Sequence, residues 1–400
     1  MPVRATKRGA QRTPLSGDYD VLICGASFAG LAIARELAGA TRADGTPARV
    51  LMIDRYEVGE RQTSACGVPT GWLEALDLMG AHRQTFSELV IATPHGTTRW
   101  PIPWTFSTFD YPELCSLLAA QGDAEFETAK VDGRTGNTVH TDRGDLTAPL
   151  IVDCLGWRRV LAAGEDPAYQ PPDAPLSRGL EVHPGGKSED LAIWIDRKYV
   201  PAGYGWSFPA DDELRIGIGS FDPRFHVKDT TVRLTEDLGK EPNEYQGNWI
   251  PHKLRTATEG GVFFAGDSAG HCLPLSAEGI RTALYFGIAL GGELRDVVEG
   301  RQSREQAAAK YAEFHDTHEW KFRWMLRVQK LIPRVPPRIL APAIRLMASK
   351  RFVNWSFRHY LEIAPPRYAD RSAQNQIGTG QKQGDAGEPR EVERDLVQAE

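Results

Sequence analysis

The first third of the chain is punctuated by short apolar runs. Tyr19–Cys24 is the first and reads as a buried strand. Gly25–Gly30 follows as a turn, and Phe28–Ala38 has apolar residues at helical spacing. Arg49–Ile53 is a second buried run, and Asp54 ends it. Strand, helix and strand in this order predict a β-α-β unit. Its strands are continuously apolar because a parallel sheet is covered on both faces. In the middle of the chain the pattern changes to alternation, over Leu191–Ile195, Gly203–Phe208 and Leu214–Gly219. Alternation predicts antiparallel strands with one face buried. Gly261–Ala265 is again a buried strand. Residues 278–297, Ala307–Glu319 and about 320–361 predict helices, with breaks at Pro333, Pro336, Pro337 and Pro342. No repeat of solenoid period occurs.

This order predicts an α/β protein. A Rossmann-like nucleotide domain takes 18–85, 105–165 and 255–300. An antiparallel substrate domain is inserted as 86–104 and 166–254. A helical region follows over 301–365. Residues 1–17 are basic and aperiodic, and 366–400 are polar and turn-rich, so both ends read as disordered tails.

Composition narrows the function. Hydrophobic residues are 41% and charged residues 25%, the balance of an ordinary globular chain. No apolar run reaches the roughly 18 residues of a spanning helix. A net charge of −6 argues against nucleic acid as a partner. Five cysteines without a Cys-x-x-Cys pair suit a reduced, cytoplasmic chain with no structural zinc and no other metal site. Arg4, Lys7, Arg8 and Arg12 have no apolar run behind them, so the N-terminus is not read as a signal peptide.

The turn Gly25-Ala-Ser27-Phe-Ala-Gly30 lies between a strand and a helix. A dinucleotide fingerprint needs a tight turn, close backbone approach to a pyrophosphate and close helix–strand packing. Gly25 and Gly30 supply the first and last, and Ser27 stands at the middle glycine. The helix N-terminus offers free N–H groups to phosphate. Asp54, at the end of the next strand, is placed to accept ribose hydroxyls. The alternative is a packing turn followed by an unremarkable strand-end acid.

Further along, Val262-Phe-Phe-Ala-Gly266-Asp267-Ser-Ala-Gly270-His-Cys-Leu-Pro274-Leu-Ser-Ala-Glu278-Gly279-Ile280 runs from strand through turn to helix start. It resembles the Gly-Asp motif of flavoproteins built like para-hydroxybenzoate hydroxylase. The resemblance implies FAD. Asp267 would contact the ribityl chain, Pro274 would lie beside the reactive ring, and Gly279 and Ile280 would offer backbone N–H groups to its pyrimidine end. A helix N-terminus there would stabilise the charge of reduced flavin. Three departures stand out. Ala277 occupies a position where relatives often have glycine. Val152-Asp153-Cys154-Leu155-Gly156 lacks the Asp-Gly adjacency of hydroxylating relatives that use NADPH. Asp110-Tyr111 stands where many relatives carry an arginine, leaving Arg55 and Arg61 as the substitutes at the pyrophosphate.

Pro201-Ala-Gly-Tyr204-Gly-Trp206-Ser-Phe208-Pro209 puts Tyr204, Trp206 and Phe208 on one face of a strand. Gly203, Gly205 and Ser207 leave the other face nearly bare for close packing. The pattern by itself fits either a substrate channel or a core-facing strand. It matches every fixed position of P-x-x-Y-x-W-x-F-P, the substrate motif of the geranylgeranyl reductase family. That resemblance implies saturation of C=C bonds in a polyprenyl or other hydrophobic substrate by reduced FAD, with NAD(P)H or another redox carrier as electron donor. A halogenase would need a lysine between the nucleotide loop and this strand, and none occurs between Lys7 and Lys130. Cys66, in Ala65-Cys66-Gly67-Val68, resembles the Cys-Gly turn that relatives place near the flavin. Its thiol is a candidate proton donor, or a small buried residue in a turn. His271 is a second candidate donor, or a packing histidine. The competing readings are a monooxygenase of a small aromatic or polyketide, and a prenyl carrier without catalysis.

Residues 320–361 hold ten Lys and Arg and no Asp or Glu, interleaved with Trp320, Phe322, Trp324, Phe352, Trp355 and Phe357. This composition suits a peripheral site on the inner face of a membrane. It also suits a helical cap whose arginines pair with acids elsewhere.

Overall fold

Val21 and Ile23 turn to one side of their strand, Leu22 and Cys24 to the other, and all four are fully buried. The computed structural model in which this is seen describes residues 13–62, 64–162 and 175–370. Its strands are β1 (Val21–Cys24), β2 (Val50–Asp54), β3 (Gly67–Pro69), β4 (His82–Thr93), β5 (Gly96–Phe109) and β6 (Glu125–Thr128). They continue as β7 (Val131–Thr135), β8 (Thr138–Thr141), β9 (Gly144–Thr147), β10 (Leu150–Asp153), β11 (Leu176–Val182) and β12 (Leu191–Trp194). The last are β13 (Gly203–Ala210), β14 (Glu213–Ser220), β15 (Gln246–Pro251), β16 (Thr258–Glu259) and β17 (Val262–Phe264). The helices are α1 (Phe28–Leu37), α2 (Thr70–Ala75), α3 (Tyr111–Ala119), α4 (Lys228–Asp237) and α5 (Ile280–Val298). Four more follow: α6 (Arg304–Asp316), α7 (Glu319–Leu331), α8 (Pro337–Met347) and α9 (Lys350–Leu361).

The first sheet has the order β16-β17-β10-β1-β2-β6, parallel except at β16. Val21, Ile23, Val50 and Met52 pack against α1, α3 and α5. Leu22, Cys24, Leu51 and Ile53 pack against the small sheet β7-β8-β9. Burial on both faces is why these strands are apolar throughout. The glycine turn after β1 and the Gly-Asp turn after β17 lie at the same end of this sheet. Their two helices cross closely at small residues: a Cβ on Gly287 would lie 2.8 Å from the Ala29 carbonyl oxygen, and one on Gly291 would lie 2.6 Å from Glu36 Cβ.

The second sheet has the order β15-β11-β14-β13-β12-β4-β5-β3 and is antiparallel except at β12–β4. Val182, Ile216 and Ile218 turn to its back and pack with Leu234 of α4. The C-terminal helices lean on β5. Trp100 Nε1 donates to the Ile344 carbonyl at 3.2 Å, and Trp104 Nε1 to the Phe357 carbonyl at 3.3 Å.

Several boundaries differ from the sequence expectation. The hairpin β4–β5 belongs to the second sheet over its whole length, and β3 joins it. Its register shifts and its prolines hide the alternation. Leu15 packs on the small-sheet core, so the folded chain includes residues assigned to the N-terminal tail. Residues 366–369 form a turn, and Tyr368 lies 4.5 Å from Tyr285 between ring centroids, so the body extends past 365. Pro342 does not break its helix but sits inside α8, where Arg338 and Pro342 are both exposed and water can replace the lost hydrogen bond. Residues 1–12 and 371–400, the remainder of the expected tails, lie outside the described residues.

Candidate flavin and substrate site

The turn from β1 to α1 is set by what it cannot hold. Gly25 has φ of +114°, and a Cβ there would lie 2.3 Å from the Cys154 carbonyl oxygen. A Cβ on Gly30 would lie 1.9 Å from the Gly25 carbonyl oxygen. Neither position accepts another residue without the backbone moving. Ser27 is the N-cap of α1 and makes no capping hydrogen bond with its side chain, so the first N–H groups of the helix stay available. Asp54 Oδ2 accepts from Ala26 N at 2.9 Å, and Oδ1 from Tyr56 N at 3.0 Å. Burial raises this carboxyl above its usual range, against those two N–H groups. Arg55 and Arg61 are exposed and both lie over the ring of Tyr56, at 4.9 and 5.2 Å. Arg61 also donates to the Tyr56 hydroxyl at 2.6 Å. Asp110 caps α3 by accepting from Glu113 N.

The second turn is fixed from below. Asp153, fully buried, accepts from Ser268 Oγ at 2.7 Å, Leu155 N at 2.9 Å and Leu161 N at 2.8 Å. Gly266 has φ of +63° and faces Ala29 of α1. The Asp267 side chain makes no hydrogen bond or ion pair among the described residues, and burial pushes its carboxyl up to about 6. The loop that follows is strained, with Leu275 at φ +70° and Ala277 at φ +53°. Ala277 therefore adopts the left-handed conformation that a glycine would take there. Gln329 of α7 accepts from Leu275 N at 2.7 Å, Glu278 accepts from Arg281 Nε at 2.6 Å, and the Tyr360 hydroxyl donates to Glu278 and accepts from Ser276 Oγ at 2.9 Å. Pro274 and Ile280 are buried, and Gly279 caps α5 beside Cys272.

Tyr204, Trp206 and Phe208 share one face of β13. Gly205 is on the other, where a Cβ would lie 2.8 Å from Leu234 of α4. The Tyr204 hydroxyl donates to the Ser276 carbonyl at 2.5 Å, which joins the aromatic strand to the strained loop. Trp206, Gly217, Glu181 and Gln246 are in register across β13, β14, β11 and β15. The indole lies over Gly217 and reaches Glu181 Oε2 with its Nε1, at 2.6 Å. Glu181 Oε1 takes His183 Nε2 at 2.8 Å and Gln246 Nε2 at 2.7 Å. Burial alone would lower His183, but its bonds to Glu181 and Glu213 outweigh it and hold it up at about 9. Burial would raise Glu213, and His183 and Arg215 hold it down at about 2. Sequence reasoning missed this row. The only signal was polar Glu181 and His183 alternating with Leu180 and Val182.

Cys66 has φ of +53° and no exposed surface, and its thiol donates to the Ser64 carbonyl at 3.1 Å. Burial pushes that thiol well above its usual range, against the nearby Arg215 guanidinium. Arg215 donates to the carbonyls of Ala65, Cys66 and Phe109 and so holds the Cys66 turn to the second sheet. His271 is fully buried and stacks on Phe286, and its Nδ1 accepts from Gly266 N at 3.1 Å. Burial lowers it well below its usual range, so it is a neutral cap of the Gly-Asp turn. All five cysteines are free.

No protein-family model matches this chain. It is 22% identical over 384 residues to digeranylgeranylglycerophospholipid reductase 3 of Methanosphaera stadtmanae, covering 86% of this chain and 95% of that one. Its fold is that of a geranylgeranyl bacteriochlorophyll reductase-like protein of Thermoplasma acidophilum, with TM-score 0.74 at 16% identity over 90% of this chain and 99% of that one. The chain is a geranylgeranyl reductase-like FAD-dependent oxidoreductase. A probable FAD-dependent monooxygenase from Pseudomonas aeruginosa shares the fold more loosely, with TM-score 0.57 at 17% identity over 86% of this chain and 100% of that one.

Two features of this reductase-like chain fit a flavin dinucleotide. The Gly25–Gly30 turn leaves backbone and helix N–H groups uncovered where a pyrophosphate needs them. The half-buried Asp267 carboxylate has no donor among the described residues, and ligand hydroxyls would supply one. Among the described residues no helix is long and apolar enough to cross a membrane.

Proposed function

We propose that this protein reduces C=C bonds of a polyprenyl or other hydrophobic substrate, with FAD held across its first sheet. Gly25, Ser27, Gly30 and Asp54 would hold the AMP half, and Gly266, Asp267, Pro274, Gly279 and Ile280 the flavin end. Reduced flavin bound there supplies a hydride equivalent to one alkene carbon. The observation that carries the reading is the Tyr204–Ser276 hydrogen bond, because it sets the aromatic face of β13 against the loop assigned to the isoalloxazine.

The remaining roles belong to the chain itself. Tyr204, Trp206 and Phe208 would exclude water and align an apolar chain. Cys66 would hold the proton for the second carbon, and a thiol pushed up by burial keeps that proton at neutral pH. Arg55 and Arg61 are engaged on Tyr56, and a pyrophosphate role for them requires that they leave it. NAD(P)H or another redox carrier would supply electrons transiently, since the described residues form one parallel sheet of this kind.

The test is spectroscopic. The protein is loaded with FAD, reduced without oxygen by dithionite, freed of excess reductant and given a geranylgeranyl lipid. Reoxidation only with the lipid, and a product heavier by two hydrogens per bond, supports the proposal. Rapid return of the oxidised spectrum with oxygen and a small aromatic would instead favour a monooxygenase, a reading with some support from the shared fold. A protein that takes up lipid but no FAD would be a carrier.

A further inference from the structure

Eight large hydrophobic side chains are exposed among the described residues, and six of them lie between 320 and 355: Trp320, Trp324, Leu331, Ile339, Leu346 and Trp355. The spacing is not random. On α7, Trp320, Trp324, Arg327 and Leu331 recur at steps of four, three and four, so they share one outward stripe, while Phe322, Met325 and Gln329 are buried. On α8, Ile339, Pro342 and Leu346 face outward, and Ala341 and Ile344 inward. On α9, Trp355 is exposed and its ring lies 4.8 Å from His359.

The same stretch carries ten basic residues and no acid, which leaves −16 on the remainder of a chain whose net charge is −6. Among the described residues only Arg323 of these ten forms an ion pair, with Glu319 of its own helix. Among the described residues, then, these arginines form no cap paired with acids elsewhere. A second copy docking here symmetrically would set ten positive charges against ten. Tryptophans and aliphatic side chains flanked by arginines and lysines complement an anionic lipid surface, where indoles rest at the headgroup level and basic groups meet phosphate.

A groove opens beside this face. Ile332, Val335 and Leu340 line it from the junction of α7 and α8, and Ile195, Val200 and Pro201 from the turn that leads into β13. It is shallow, with room for about 20 Å³, and ends at Gly203, next to Tyr204.

We propose that α7, α8 and α9 dock this protein on an anionic lipid bilayer. The proposal goes beyond the alkene-reduction reading, and its test measures binding without turnover, so either can fail alone. The full chain is sedimented with vesicles of phosphatidylcholine alone or with one-third phosphatidylglycerol. Binding is expected on the anionic vesicles and to weaken as salt rises. Arg327→Glu/Arg338→Glu/Arg351→Glu is expected to lower partitioning at least about 100-fold, from roughly a fivefold loss per basic residue removed. Trp320→Ser/Trp324→Ser is expected to lower it about tenfold or more. Each variant should keep the parent's unfolding midpoint, since these side chains are on the surface. Equal binding to both vesicles, or no binding, overturns the proposal. So does a dimer that the tryptophan substitutions dissociate, which would make a second copy the occupant. Binding that appears only after residues 371–400 are removed would give the face to that segment, and would also overturn it.

Discussion

The indole of Trp206 crosses Gly217 to reach the carboxylate of Glu181 at 2.6 Å. Three strands in register make this bond, and the middle residue must lack a side chain. A Cβ at Gly217 would lie 2.2 Å from the indole ring. Gly217→Ala should therefore swing Trp206 off Glu181 and cost about 1–3 kcal/mol. Indole fluorescence should shift, and KM for a hydrophobic substrate should rise more than kcat falls. Unchanged fluorescence and KM would show that the indole does not shape the substrate path.

Glu181→Leu should be worse than Glu181→Gln. Leucine removes one of the two carboxylate partners of His183 and leaves Glu213, at a cost of about 1–3 kcal/mol. Glutamine still offers Trp206 an acceptor. Chemical denaturation of both variants decides this, and equal losses would mean that the His183 pairing adds nothing.

The same cluster sets a pH dependence. His183 is raised in the folded chain, so its contribution is whole below about pH 6.5 and is lost as pH climbs through about 9. Glu213 is depressed, so its contribution is whole above about pH 4.5 and is lost as pH falls toward about 2. Relative to His183→Gln, the parent should lose on the order of 2–3 kcal/mol between pH 7 and 9.5. Parallel stability curves for the two would overturn the assignment.

Asp267 has the opposite sign from an ordinary paired carboxylate. Its folded form titrates at about 6, so ionising it destabilises the cofactor-free fold as pH rises from about 4 to 6. Asp267→Asn should stabilise the cofactor-free protein at pH 7 by on the order of 1–3 kcal/mol. It should also weaken FAD binding at least tenfold, measured by flavin fluorescence titration. A variant that is less stable without FAD would mean that Asp267 has a partner in the fold.

Gly30→Ala should abolish retention of FAD. The added Cβ meets the Gly25 carbonyl at 1.9 Å, and separating the two costs about 3 kcal/mol or more while spoiling the phosphate turn. Flavin absorbance after gel filtration reports it, and a yellow G30A protein would remove this turn from the site.

The β1–α1 turn of the candidate site was legible because its constraints are local. Val21–Cys24 is buried on both faces and so is apolar at every position, and Gly25 and Gly30 are needed within one turn of chain. The Tyr204–Trp206–Phe208 face was legible for the same reason, since a strand repeats every two residues. The polar row was not. Glu181 meets Trp206 through a third strand, and no local pattern encodes cross-strand register. The partners of Arg281 lie about 80 residues away, at Tyr360, Leu361 and Ala364, a separation that periodicity does not reach. The β4–β5 hairpin was obscured by its bulges, which break the alternation that announces a strand.

Arg281 donates to Glu278 and to the carbonyls of Tyr360, Leu361 and Ala364, and no part of its side chain reaches solvent. One guanidinium thus clamps the start of α5 to the end of α9. The two ends are held as one piece, so a tilt of α9 would bear on residues 276–281. The chain carries a lever whose outer arm is aromatic and basic and whose inner arm is the loop below Tyr204.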